Sequence, residues 1–236
     1  MLPGSSVGTD NPAMGLMVAL AFAIMTAQGD CKPQFAPLDT GTTSGNSKLP
    51  FWSKQQAGGW GGDGWLGWTW NSRTLQPVRL IVRPRPKDQA QDDDEVTVQS
   101  VPDVTFAVRC IPGLRAGGIR AADVVNHELN YRGPLSISLG ERRYQLRLQT
   151  VREDLSDAKV ILTDGKRTQV LYSADGFVDD PHFEIEWAGD LDRDGKLDLI
   201  VNLSRKYSVH PHRLLLSSRA SGTQLVGEAA VFETGD

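Results

Sequence analysis

Between residues 189 and 201 the chain reads GDLDRDGKLDLIV. Asp190, Asp192, Asp194 and Asp198 take positions 1, 3, 5 and 9 of a loop of the form DxDxDGxxD, with Gly195 at position 6. Carboxylates are hard oxygen donors, and a Ca²⁺ ion takes six to eight oxygens at about 2.3–2.6 Å. Alternate residues of a tightly curled loop can point inward together, and a glycine at the sharpest bend spares that position a side chain. Lys196, at position 7, is expected to offer its backbone carbonyl. Without a cation, each pair of carboxylates about 4 Å apart would repel by about 4 kcal/mol at an effective dielectric near 20. A divalent ion reverses that sign, so the expected chemistry is Ca²⁺ binding. The competing expectation is an acidic surface hairpin closed by Asx-turns.

Other residues could do chemistry, and each has a plainer reading. Trp60, Trp65, Trp68 and Trp70 crowd the stretch GGWGGDGWLGWTWN. Exposed indoles at Trp65, Trp68 and Trp70 could stack on sugar rings, which would make segment 60–70 a carbohydrate-binding surface. Aromatic rings equally fill β cores. His210 and His212 stand two apart and would share a strand face where they could hold a metal. With no cysteine or third histidine beside them in sequence, they are expected as surface residues. Glu184 and Glu186 could serve as a glycosidase carboxylate pair, or simply line the wet face of the strand HFEIEW. No nucleophile elbow, phosphate-binding glycine loop or HExxH motif is present. A non-enzymatic module is therefore expected.

The elements that would position these residues are strands. In ERRYQLRLQTV (141–151), Tyr144, Leu146 and Leu148 alternate with Arg143, Gln145, Arg147 and Gln149. That period of two predicts one buried and one wet face. The preceding LSISL makes a hairpin with it through Gly140-Glu141. KVILT and KRTQVLYS form a second hairpin, with Asp164-Gly165 expected at the centre of a type I′ turn. Further strands are expected at 77–84, 95–101, 104–110, 182–187, 197–203, 212–218 and 224–232. Only AADVVNHEL (121–129) is open to a helical reading. Short strands at this spacing predict an all-β fold, an antiparallel β-sandwich or barrel.

The N-terminal part reads differently. MGLMVALAFAIMTA (14–27) is an uncharged apolar run, followed by small residues at Ala27 and Gly29. It has the length of a signal-peptide core and is too short for an easy membrane span. Residues 1–29 are therefore expected as a signal peptide, 30–64 as a flexible linker, and 65–236 as the β domain with its calcium loop at 190–198. Export places the protein in the periplasm or outside the cell, with no stable membrane insertion after cleavage. There Cys31 and Cys110, the only two cysteines among 236 residues, could pair. A net charge of −4 argues against a nucleic-acid partner, which usually meets a basic stripe. A protein or glycan partner is left.

The spacing DxDxDGxxD resembles the calcium loops of FG-GAP and VCBS repeats and the first half of an EF-hand. The resemblance implies side-chain ligation by Asp190, Asp192, Asp194 and Asp198 and carbonyl ligation by Lys196. It departs from the EF-hand at position 12, where Val201 replaces the bidentate glutamate, and in its flanks, which read as strands. Loss of that glutamate implies weak binding, on the order of 10⁻⁴ M as in extracellular modules. The motif occurs once, which does not suit a whole propeller. WLGWTWNSRTLQPVRLIV, the aspartate loop and LVGEAAVF also resemble a group of secreted β proteins of Gram-negative bacteria, a likeness that implies compartment and architecture and supplies no activity.

Overall fold

Seventeen strands and one 3-10 turn make up the regular structure, with no α-helix among the described residues. The computed structural model describes residues 31–38, 51–88, 90, 92–125, 129, 133–174, 176, 178–179, 181–206 and 208–235. The expected signal peptide and residues 30 and 39–50 of the expected linker lie outside them.

The first sheet is built from β1 (Gln34–Pro37), β2 (Phe51–Ser53), β3 (Gly62–Trp68), β4 (Thr74–Pro84), β5 (Glu95–Val101), β6 (Phe106–Arg109) and the short β7 (Gly117–Gly118). Its order is β1-β6-β3-β4-β5-β2, with β7 beside β4. After β8 (Arg120–Ala121), the second sheet runs through β9 (Asp123–Val125), β10 (Leu135–Leu139), β11 (Arg142–Gln149), β12 (Lys159–Thr163) and β13 (Thr168–Ser173) as a meander. The third contains β14 (His182–Asp190), β15 (Asp198–Ser204), β16 (Val209–Leu216) and β17 (Gly227–Gly235) in the order β17-β16-β15-β14-β8. Every strand pairing is antiparallel. The architecture is an all-β sandwich with one sheet curled into a half-barrel.

The third sheet is covered on both faces. One face packs Phe183, Ile185, Leu199 and Val201 against Ile137, Tyr144, Leu146 and Leu162 of the second sheet. The other packs Trp187, Ile200, Leu214 and Leu216 against Trp68, Leu75 and Phe106 of the first. All seven residues of β15 are buried, which is why LDLIVNL is nearly continuous in its apolarity instead of alternating. The first sheet's other face holds a third cluster around Trp52, Trp60, Trp65, Val78, Leu80 and Val96.

The period-two prediction for 141–151 holds locally: Tyr144 and Leu146 are buried while Arg143, Gln145 and Arg147 face water. The Gly140-Glu141 hairpin forms, with Leu139 opposite Arg142 and Gly140 at φ +58°. The second hairpin differs from expectation by one residue. Thr163 pairs Thr168, and Asp164 N–H donates to the Arg167 carbonyl at 3.2 Å. Gly165 (φ +84°) and Lys166 are therefore the central residues, and Asp164 turns its carboxylate onto the N–H groups of Lys166 and Arg167 at 2.9 and 2.7 Å. The described residues of segment 121–129 include strand at Ala121 and over Asp123–Val125 and no helix.

Two expectations are corrected here. Residues 30–64 are not a featureless linker: β1, β2 and the start of β3 lie within them. β1 adds to the edge of β6, with Phe35 opposite Val108, and β2 adds to β5. A three- or four-residue strand obtains its order from the ladder it joins and needs no periodicity of its own. The buried Phe35, Trp52, Ala57 and Trp60 supply the apolar area. Of the two readings of the tryptophans, the core one holds, and sugar stacking by Trp65 and Trp68 is the one overturned. Trp65 and Trp68 are buried. Trp65 donates its Nε1–H to the Trp60 carbonyl at 2.9 Å, and the Arg109 guanidinium covers its ring at 4.6 Å. Trp70 is half-buried, edge-on to Phe106 at 4.7 Å. Neither Trp65 nor Trp68 leaves an indole face for a sugar.

Candidate metal centre

The aspartate loop joins β14 to β15 at one end of the third sheet. β14 closes with Gly189 opposite Ala121 and Asp190 opposite Arg120, and β15 begins at Asp198, directly opposite Gly189. The segment between must reverse direction over a few residues. Arg193 and Gly195 do this at φ +69° and +76°. A Cβ on Gly195 would meet nothing within 4 Å. The glycine is thus required by its left-handed backbone and not, as the sequence suggested, by crowding.

Asp190, Asp192 and Asp194 present one carboxylate oxygen each, all within 4.8 Å of one another. Asp190 Oδ2 accepts from Gly195 N–H at 3.1 Å, Asp192 Oδ1 from Asp194 N–H at 3.2 Å, and Asp194 Oδ1 from Lys196 N–H at 2.8 Å. The last two are Asx-turn bonds and the first spans the bend, and a cation-free hairpin would also make all three. What the hairpin does not account for is the remaining oxygens: Asp190 Oδ1 and Asp192 Oδ2 are buried with no hydrogen-bond partner. Burial pushes the Asp190 carboxyl above its ordinary range, and the charges of Asp194 and Asp192 add to the push. Burial is the largest influence on Asp194 and pushes it up, but the Lys196 ammonium, 3.0 Å from its Oδ2, the Lys196 N–H and the Ser217 hydroxyl together outweigh it and hold that carboxyl low. Arg193 points away, donating to the Arg115 carbonyl at 3.0 Å.

Asp198 departs from the expected ligand set. It is fully buried and lies outside the group of three. Its Oδ2 accepts from Leu191 N–H at 2.7 Å and from Asp192 N–H at 3.3 Å, while Oδ1 accepts from Ser217 N–H at 2.7 Å. Both oxygens are committed to backbone donors, one pair at the start of the loop and one after β16. Asp198 is therefore an anchor beneath the loop. Burial raises its carboxyl to about 7, with the Asp192 charge contributing and the backbone donors opposing. Lys196, expected to offer its carbonyl, engages Asp194 through its ammonium and N–H. The donor set present, three convergent carboxylates with two unsatisfied buried oxygens, suits a hard divalent cation.

Comparison with known families, curated proteins and solved structures gave no match.

Cys31 and Cys110 are both disulfide-bonded, and neither is a free thiol. The histidines expected on the surface are not all there: His212 is buried and His210 half-buried. Glu186, expected on a wet face, is buried and bonded to His212 at 2.7 Å. Glu184 is half-buried and bonded to His182 at 2.8 Å. Spacing in the sequence could not show this grouping, because it depends on the register of β14, β15 and β16.

Proposed function

We propose that the chain is an exported β-sandwich module, without enzymatic activity, that binds Ca²⁺ through Asp190, Asp192 and Asp194. One observation carries the reading: two carboxylate oxygens in this cluster, Asp190 Oδ1 and Asp192 Oδ2, are buried without a partner. A buried ionised oxygen with no donor is costly, and a divalent cation shared by the three side chains removes that cost. The apolar run 14–27 supports export to the periplasm or beyond, and the single loop supports a structural or protein-contact role for the ion.

Few protein ligands and no bidentate glutamate imply an affinity on the order of 10⁻⁴ M. At 1 mM Ca²⁺ such a site stabilises the fold by about 1.4 kcal/mol, or roughly 3–6 °C in Tm for a domain of this size. Thermal melts of the purified chain in 1 mM (roughly ten times Kd) CaCl₂ and in chelator measure this shift, and Asp192→Ala should abolish it. Equal melting temperatures in the two buffers would remove the calcium reading.

A further inference from the structure

At the end of the third sheet away from the aspartate loop, the face that elsewhere packs on the first sheet turns polar. Glu184 on β14 lies opposite Asn202 on β15, which lies opposite His212 on β16, which lies opposite Phe232 on β17. His182 and His210 stand two residues along their strands from this rung, with ring centroids 6.5 Å apart; His210 and His212 are 6.4 Å apart. A bulge between Ile185 and Trp187 turns Glu186 towards the same group. Three histidines and two glutamates, far apart in sequence, so form one row that runs from buried His212 to half-exposed His182.

The hydrogen bonds orient these rings. Glu186 Oε1 accepts from His212 Nδ1–H at 2.7 Å, which fixes the tautomer and leaves Nε2 with its lone pair. Asn202 meets His210 Nδ1 at 3.2 Å through its amide nitrogen; turned over, its otherwise unpartnered Oδ1 accepts from Nδ1–H and leaves His210 Nε2 as the lone pair. Both arrangements are those in which a carboxylate or amide presents an imidazole to a metal. The buried Glu186 Oε2 has no partner, so this end of the sandwich is short of a donor.

We propose that His210 and His212, with a third ligand from the His182–Glu184 pair, bind a divalent transition-metal ion of the Zn²⁺ class. Imidazole is a borderline donor that suits zinc, nickel or copper and does not suit calcium, so this site and the aspartate loop take different ions. Among the described residues only the aspartates bring three ligand atoms within 4.8 Å. Closing the histidine row on an ion therefore needs the outer pair to turn, and the His182 and Glu184 side chains are 40% and 36% exposed. The inference does not depend on calcium binding.

Calorimetric titration of Zn²⁺ into the full chain, with millimolar Ca²⁺ present to fill the aspartate loop, tests it. One Zn²⁺ per chain is expected, retained in Asp192→Asn and weakened at least about tenfold in His210→Ala and His212→Ala. Glu186→Gln, which touches no ion and acts by orienting His212, should weaken it about 10–100-fold with an unchanged metal-free melt. If His212→Ala fails to fold, half-exposed His210→Ala carries the test. No saturable heat in the parent chain overturns the proposal. So does binding lost in Asp192→Asn but kept in His210→Ala, which would put the ion on the loop. Binding that neither variant alters would mean adventitious surface sites and overturn it equally.

Discussion

Trp68→Ala separates a core indole from a ligand-stacking one. Trp68 has no exposed surface and sits where the first and third sheets meet, 5.4 Å from the Phe106 ring and edge-on to Trp187 at 5.8 Å. A fully buried tryptophan removes about 150–250 Å² from water, worth about 4–6 kcal/mol at ~25 cal/mol/Å². Truncations of this kind cost about 3–5 kcal/mol in practice. For a domain of this size that lowers Tm by roughly 6–20 °C. One term runs the other way: the Trp68 Nε1–H is buried without an acceptor, a defect worth about 1–3 kcal/mol. Trp68→Phe keeps most of the ring and removes that N–H, so it should cost under about 1.5 kcal/mol. Urea denaturation followed by circular dichroism gives both values. The reasoning fails if Trp68→Ala melts within about 2 °C of the parent, or if Trp68→Phe is as damaging as Trp68→Ala.

Gly195→Ala places a Cβ in open space at φ +76°, so only backbone strain is felt; a loss of about 1 kcal/mol and of roughly 2–4 °C in Tm is expected in chelator. The Asp157 carboxyl is held below its ordinary value, chiefly by the Thr150 hydroxyl, whose oxygen lies 2.6 Å away, and by the N–H groups of Val151 and Arg152. A depressed carboxyl contributes stability above its unfolded pKa, about 3.9, and loses it as pH falls through the lower folded value; Asp157→Asn should flatten the acid limb of the stability profile, and an unchanged limb would count against this bond.

Legibility followed the range of the interactions. The meander of the second sheet was readable because its alternation is local and one face is wet. β15 was readable as apolar but not as a strand with both faces covered, and that decides the fate of Asp198. Flanked by Leu197 and Leu199, it had to face away from their core; only the first sheet's packing turns that opposite face into an interior, where the carboxylate serves as an acceptor for Leu191 and Ser217. β1 and β2 were illegible because three or four residues carry no period. The histidine row was illegible because His212 meets a glutamate 26 positions earlier, through a bulge that no spacing rule anticipates.

The buried anchor at Asp198 makes the hairpin's path and the hairpin's charge separable properties. The two ends of the route are pinned from below by a side chain that water never reaches, while three side chains above it carry the charge and brace the bend through the N–H groups of Gly195, Asp194 and Lys196. Replacing Asp190, Asp192 or Asp194 by asparagine, which keeps an acceptor oxygen, should thus change the charge offered to a cation without the chain losing its way between β14 and β15.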